Sequence, residues 1–438
     1  MANDIVSINV STQFAPIPNN LQKTGAFVSQ GGTSTSQGTL TLLTQTSDLT
    51  PVLAQAIAIT TMTWASNLVS VTLASPHGIT TGETVSWTIQ GVVPTGYNSA
   101  SIAVTATGPN TFTYPLSIDP GTVTTQGQAL PASASEIQAM ANTYFAQGSG
   151  NAVYVLELGI GNPGDGVTYL TSWIASNLNR IYGFMVPRSW ATEPSYPALV
   201  SAQAGNTALT YFFTTFNASN YAANVPNFQF KSAFNFIEGQ TVPATEFSVA
   251  SVFYTILNRS PSNVNKVPPL QYAFLVGVTV GTWTGAQRAA FKSLYLNYAD
   301  TGAEGGITNT ILKGGVLGSS LFFNFWYATD WVIINMHVQL ANAIINGSNT
   351  TVNPLYYNQQ GIDRLQAVAQ GVMNSGVAFG LLLAGASVSA VDFVTYTTNN
   401  PSDYADGEYD GLSGSAIPQN GFTHITFNLV VSDLVTGS

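Results

Sequence analysis

Only 30 of the 438 side chains carry a formal charge, ten Lys or Arg and twenty Asp or Glu, and this scarcity constrains the chain more than any other feature. Charged residues normally cover the solvent face of helices and strands. A large chain that uses Ser, Thr, Asn and Gln instead has neutral polar surfaces that cost little to desolvate, which suits extensive subunit contacts. Secreted β-rich proteins share this composition, so the lean toward assembly needs support from elsewhere. With 45% apolar residues the chain can bury a large core, and at about 150 residues per domain roughly two to four units are expected. Collagen and wholesale disorder are excluded.

A formal net charge of −10 with so few cations argues against a nucleic-acid partner, because that affinity comes from Lys and Arg displacing condensed counterions. The absence of cysteine removes disulfides, thiolate metal sites and thiol nucleophiles, and leaves the compartment open. Residues Met1 to Val6 lack the basic stretch and apolar run of a secretion signal, so the mature chain is expected to begin there. The charge-free window Leu365 to Val391 contains Gln366, Gln370, Asn374, Ser375, Ser387 and Ser389. It reads as a buried helix followed by a strand, with no membrane insertion.

Both ends of the chain carry a strand pattern. Val6, Ile8 and Val10 alternate with Ser7, Asn9 and Ser11, and Pro16 and Pro18 then break the pattern. At the other end Ile425, Phe427, Leu429 and Val431 alternate with polar residues, beyond a Gly- and Pro-rich stretch, 399–421, that reads as a flexible linker. The expected organisation is an N-terminal strand arm over 1–20, a first part of the core over 21–61, an inserted all-β domain over 62–127, an α/β core over 128–398, the linker, and a C-terminal strand arm over 422–438. Such arms can add to an exposed sheet edge of a neighbouring chain. They can equally pair within their own subunit.

The insertion is read from short strand patterns at Val69 to Leu73, Val85 to Ile89, Ile102 to Thr105 and Phe112 to Tyr114, separated by turn signals such as His77-Gly78, Gly91 and Gly96. Beyond it the periodicity changes to alternating strands and helices, which predicts a parallel α/β sheet within a mixed α/β and α+β chain. Strands are expected at 152–158, 181–186 and 208–214. Helices are expected after a Ser133/Glu136 capping box, over about 166–177, 197–204, 284–299 and 359–375. A strand at Trp331 to Ile334 is expected to lead into a helix over about 336–345.

The sharpest chemical motif is Gly159-Ile160-Gly161-Asn162-Pro163-Gly164, a G-x-G-x-x-G that leaves a strand and opens a helix as dinucleotide-binding loops do. The acid that should follow the next strand is missing, and that strand runs instead into Pro187 and Arg188, which could meet a 2′-phosphate. Pro163 also removes a backbone donor where an anion would sit. Asp403, Asp406, Glu408 and Asp410 cluster in the linker without the spacing of a calcium loop. His77, His337 and His424 form no ligand pair, and neither a nucleophile elbow nor a phosphate loop of the Walker type occurs. Asp330 and Asp363 read as helix caps or paired structural ions. No catalytic residue, metal ligand or cofactor is therefore assigned.

The opening Asp4 to Val10 with Thr24-Gly25, the α/β segments with a β-rich insertion, and Trp331 to Asn335 before the late helix together resemble the contractile-tail sheath proteins of bacteriophages. The insertion, with Ser75-Pro76-His77-Gly78-Ile79, Thr81 to Val85, Gly96-Tyr97-Asn98 and Thr111 to Tyr114, resembles a β module of phage structural proteins. The resemblance implies a non-enzymatic virion subunit, made in the host cytoplasm, that stacks as homo-oligomeric rings around a tail tube and contracts. It also implies a core built from both chain ends, an outward-facing insertion, and tail tube, baseplate and tail terminator proteins as partners. Val6, Ile8, Val10, Ile425, Phe427, Leu429 and Val431 become the assembly residues. The alternatives are another tail or baseplate protein, or an NAD(P)-binding enzyme using Gly159 to Gly164.

Overall fold

The computed structural model describes residues 17–150, 152–302 and 308–423. In chain order, β1 (Gly25–Ser29) and β2 (Leu40–Leu43) are followed by β3 (Ile57–Ala65), β4 (Leu68–Leu73), β5 (Thr84–Gln90), β6 (Ser99–Gly108), β7 (Thr111–Pro115) and β8 (Gln128–Pro131). Helix α1 (Ala132–Ala146) then opens the alternation β9 (Val153–Glu157), α2 (Pro163–Ser176), β10 (Gly183–Met185), α3 (Tyr196–Ala202), β11 (Tyr211–Phe216), α4 (Tyr221–Asn224), β12 (Ala233–Ile237) and α5 (Val249–Leu257). Next come α6 (Gly285–Ser293), β13 (Asn297–Thr301), β14 (Thr310–Lys313), α7 (Phe323–Ser348) and α8 (Gln359–Ala378). The described chain closes with β15 (Ser387–Ala390), α9 (Phe393–Asn399), α10 (Pro401–Asp406) and β16 (Leu412–Ser415).

The main sheet has the order β14-β13-β12-β11-β10-β1-β9-β2, with β9, β1, β10, β11, β12 and β13 parallel and β2 and β14 antiparallel at the two edges. All residues of β1, β11 and β12 are buried, as expected of parallel strands covered on both faces. One face carries α1, α5 and α7, with Tyr144, Phe213, Phe253, Phe323 and Tyr327 in its core. The other carries α2 and α3, with Trp173, Phe184, Trp190, Tyr196 and Phe212. Gly25 and Gly183 face each other in the β1–β10 register. A Cβ on either would come within 2.5 or 2.6 Å of the Phe253 ring, so α5 reaches the sheet only because both positions lack a side chain.

The six strands β3-β4-β7-β6-β5-β8 close a barrel with its own core around Trp87, Phe112 and Tyr114. It extends beyond the expected 62–127 at both ends, since β3 starts at Ile57 and β8 is needed to bridge β3 and β5. Helix α1 follows β8 directly and does not use Ser133 and Glu136 as a capping box: its first helical residue is Ala132. The Ser133 hydroxyl instead accepts from the Gln30 amide at 3.1 Å, and Glu136 accepts from the Arg188 amide at 3.0 Å.

Three further expectations are corrected. Trp331 to Ile334 lie inside the 26-residue helix α7, because Tyr327, Asp330, Trp331 and Ile334 recur at helical spacing on its buried face and packing overrides β-branched propensity. The helix expected over 284–299 keeps its Thr284/Gln287 capping box but ends at Ser293. Tyr295 then takes φ 54° and Asn297 onward is drawn into the sheet beside β12. Residues 399–421 are not a bare linker, since they contain α10 and β16. The window Leu365 to Val391 is the body of α8 followed by β15. Among the described residues no helix is long and apolar enough to cross a membrane.

Gly183→Ala is expected to lower stability by about 1–3 kcal/mol through overpacking against Phe253. Urea unfolding followed by tryptophan fluorescence measures it; an unchanged midpoint would show that α5 does not need the gap.

Candidate assembly surface

The α7–α8 pair supports a two-stranded sheet. Strand β15 pairs antiparallel with β16 in the register Ser387↔Ser415, Val388↔Gly414, Ser389↔Ser413 and Ala390↔Leu412. Val388 is buried against α8, and both of its backbone groups turn to that helix: its amide donates to Gln370 Oε1 at 2.9 Å and its carbonyl accepts from Gln366 Nε2 at 3.0 Å. The outer edge of β15 is thus closed by two glutamine side chains. In an antiparallel ladder, alternate residues point their backbone groups inward and outward, so Leu412 and Gly414 present theirs on the far edge of β16. Among the described residues nothing pairs with that edge.

The described chain does not fold back to fill it. After β16 it runs along residues 381–383, with Leu383 N donating to Ile417 O at 2.8 Å and Gln419 N to Leu381 O at 2.8 Å. The Thr423 carbonyl then accepts from Tyr272 Oη at 2.7 Å. Among the described residues the main sheet has one comparably open edge, at β2, where Leu42 is exposed. Its opposite edge, β14, is covered by residues 272–275 through Tyr272 N to Leu312 O and Leu275 N to Thr310 O, both 2.9 Å. The arm residues Val6, Ile8, Val10, Ile425, Phe427, Leu429 and Val431 lie outside the described residues, as does His424.

The remaining motifs resolve into structural contacts. The Gly159 amide donates to Glu157 Oε1 at 2.7 Å and the Asn162 amide to Glu83 Oε1 at 3.0 Å. Asn162 caps α2 by accepting from Asp165 N at 3.1 Å. Two of the loop's amides are therefore committed to carboxylates. Arg188 is held bidentately by Glu238, at 2.7 and 2.8 Å, and also donates to the Glu246 carbonyl. Asp403 accepts from Tyr396 Oη at 2.7 Å, while the Asp410 amide donates to the same hydroxyl at 2.9 Å, so part of the acidic cluster folds α9 and α10 together. Asp363 accepts from Gln359 within α8. His77 is buried in the barrel, where its Nδ1 accepts from Ile79 N at 3.0 Å, and His337 lies on α7. Among the described residues no group of three or more His, Asp or Glu is placed to hold a metal ion.

Asp330 is the exceptional charge. It is fully buried on α7, where Oδ2 accepts from Tyr182 Oη at 2.8 Å and Tyr211 Oη at 2.7 Å, and Oδ1 lies 3.9 Å from Lys231 Nζ. Lys231 in turn donates to the carbonyls of Gly205, Asn206 and Ala208 and lies 4.3 Å from the centre of the Trp326 ring. Burial pushes the Asp330 carboxyl up to about 6, against the opposing pull of Lys231 and the two tyrosine hydroxyls. Sequence reasoning admitted a paired structural ion here but could not locate its partners, which lie about 100 to 150 positions earlier in the chain.

No protein-family model matches the chain, and no curated protein matches it in sequence. Solved structures do. A chain of the anti-feeding prophage (AFP) baseplate, 6-fold symmetrised, superposes with a TM-score of 0.56 at 11% identity, over 99% of this chain and all of that one. A chain of the same baseplate in the contracted state gives 0.51 at 10% identity, covering 99% of each. The sheath tail protein of Listeria innocua covers 90% of this chain and 94% of its own at 11% identity, with a TM-score of 0.43. The protein therefore has the fold of a large mixed α/β structural module carrying an embedded barrel. The likeness to the two AFP baseplate chains is one of fold.

Asp330→Asn provides a pH test. Because the folded carboxyl titrates near 6 and its ordinary value is 3.8, the folded state binds the proton more tightly. The site therefore contributes about 3 kcal/mol below the unfolded value, and this is lost as pH rises toward 6. The difference in unfolding free energy between wild type and Asp330→Asn should drift by that order between pH 4 and 7. A constant difference would place the titration elsewhere.

Proposed function

We propose that the protein is a structural subunit of a contractile injection system, and specifically a phage-type tail sheath subunit that stacks as rings around a tail tube. The end-to-end likeness to chains of the AFP baseplate, in two structures of that assembly, carries the reading. Its sites of action are surfaces rather than a pocket. The open edge of β16 is the acceptor, and a terminal arm of a neighbouring subunit, either Val6 to Val10 or Ile425 to Val431, is the strand that adds to it. Main-chain hydrogen bonds give such a joint its affinity, and alternating side chains set its register.

A two-stranded sheet is marginal by itself, so each added strand stabilises both partners. A mesh of such joints tolerates rotation of near-rigid subunits, which is how a stack of rings can shorten and drive a tube forward. No enzymatic step is required. The partners are further copies of this chain, the tube, and baseplate and terminator proteins, and the setting is the virion tail after assembly in the host cytoplasm. The barrel would face outward. A second reading, a baseplate-proximal subunit, is favoured by the fact that both of the stronger structural matches are baseplates.

Deleting Ile425 to Val431 should leave a folded protein that fails to form ordered polymer in negative-stain micrographs. Gly414→Pro, which removes an outward N–H of β16 while leaving the pairing of Ser413 and Ser415, should do the same. Ordered tubes from both variants would sink the arm joint at β16. Closed rings that never lengthen in the wild type would favour the baseplate-proximal reading.

A further inference from the structure

The glycine loop at Gly159 to Gly164 stands where the inserted barrel meets the α/β core. Its Ile160 is a wedge between the two: a Cβ at Gly31 of the core would come within 2.4 Å of Ile160, and one at Gly78 of the barrel within 3.0 Å. Beside it, Glu83 of the barrel accepts from the Asn162 amide at 3.0 Å. Asn162 caps the 14-residue helix α2, so this amide lies at the positive end of the helix dipole.

Both halves of this contact are rigid. On the barrel side, Glu83 N donates to Thr80 O and Glu83 O accepts from Ala106 N, each at 3.0 Å. On the core side, Glu157 holds the Gly159 amide at 2.7 Å and Gln30 Nε2 holds the Asn162 carbonyl at 2.8 Å. The other charged groups beside the loop are the carboxylates of Glu157, Asp165 and Glu193. Among the described residues no cation forms an ion pair with Glu83.

We propose that the G-x-G-x-x-G loop is the socket of an intramolecular joint, that the anion it binds is the Glu83 carboxylate, and that this contact sets the angle of the barrel on the core. Elsewhere the barrel is joined to the core by residues 44–56, by the direct passage from Pro131 into α1, and by the packing of β5 and β6 on α1. A cleft of about 730 Å³, lined by Trp87, Asn98, Gln138, Arg188 and Thr245 among others, separates the two beside the joint. The cleft leaves space on that side into which the barrel can shift once the contact is released. The joint stands on contacts within one subunit and does not depend on the sheath reading.

The cysteine-free sequence makes a direct test simple. Spin labels at Ser117→Cys on the barrel and Ser201→Cys in α3 would report the distance between barrel and core in the full-length protein. Glu83→Ala and the isosteric Glu83→Gln should each broaden that distribution. They should also speed amide exchange at residues 159–162 by about tenfold or more, with the exchange of β4 and β9 unchanged. Narrow distributions and wild-type exchange in both variants would overturn the joint. So would lost protection in β4 in both, which would mean that Glu83 holds the barrel's fold rather than its position.

Discussion

One buried carboxylate, Glu157, organises the end of the sheet on which the rest of the molecule is built. It accepts from Ser29 Oγ, the Gly31 amide, the Thr33 amide and hydroxyl, and the Gly159 amide, at 2.7 to 3.0 Å. A buried charge is tolerated only when its lone pairs are met this fully. Glu157 thereby fixes the loop after β1 and the loop after β9 with respect to each other. The first leads to β2 and the barrel; the second is the glycine loop on which the barrel rests. With so few charges in the chain, this one is spent on holding together the two core loops beside the barrel.

The same economy recurs elsewhere. Arg188 is surrounded by Glu136, Glu238 and the Glu246 carbonyl, and joins α1 to the segments after β10 and β12. Asp330 with Tyr182, Tyr211 and Lys231 ties α7 to the strands beneath it. The charges that an ordinary protein spreads over its surface are in part drawn inward here as fasteners. Much of the outside is left to neutral polar groups, which a neighbouring subunit can cover at low desolvation cost.

Much of the fold could be read in the residues. The alternation from Val153 to Phe216, the barrel strands around Trp87 and Phe112, and the Thr284/Gln287 cap all follow from local periodicity. The failures have a common cause. Trp331 to Ile334 look like a strand because β-branched residues are contiguous, and only the buried face shared with Tyr327 and Asp330 makes them helical. Ser133 and Glu136 look like a cap because their spacing is right, but each is taken by a residue distant in sequence. Residues 399–421 look like a linker because glycines and prolines punctuate them, yet Leu412 to Ser415 gain a partner in β15. The open edge of β16 had no local signal at all, since an unpaired edge is defined by what fails to lie beside it.

The sequence by itself determined the class of fold, the presence of an inserted β unit, the poverty of charge, and the absence of any thiol chemistry, because these depend on composition and short-range periodicity. Tertiary structure alone decided which donors were free. The glycine motif has the spacing of a nucleotide loop, and no reading of spacing reveals that Glu83 and Glu157 already occupy two of its amides. Hydrogen-bond satisfaction is a property of groups that meet across more than seventy residues of chain, and only the folded arrangement says which of them remain for a partner.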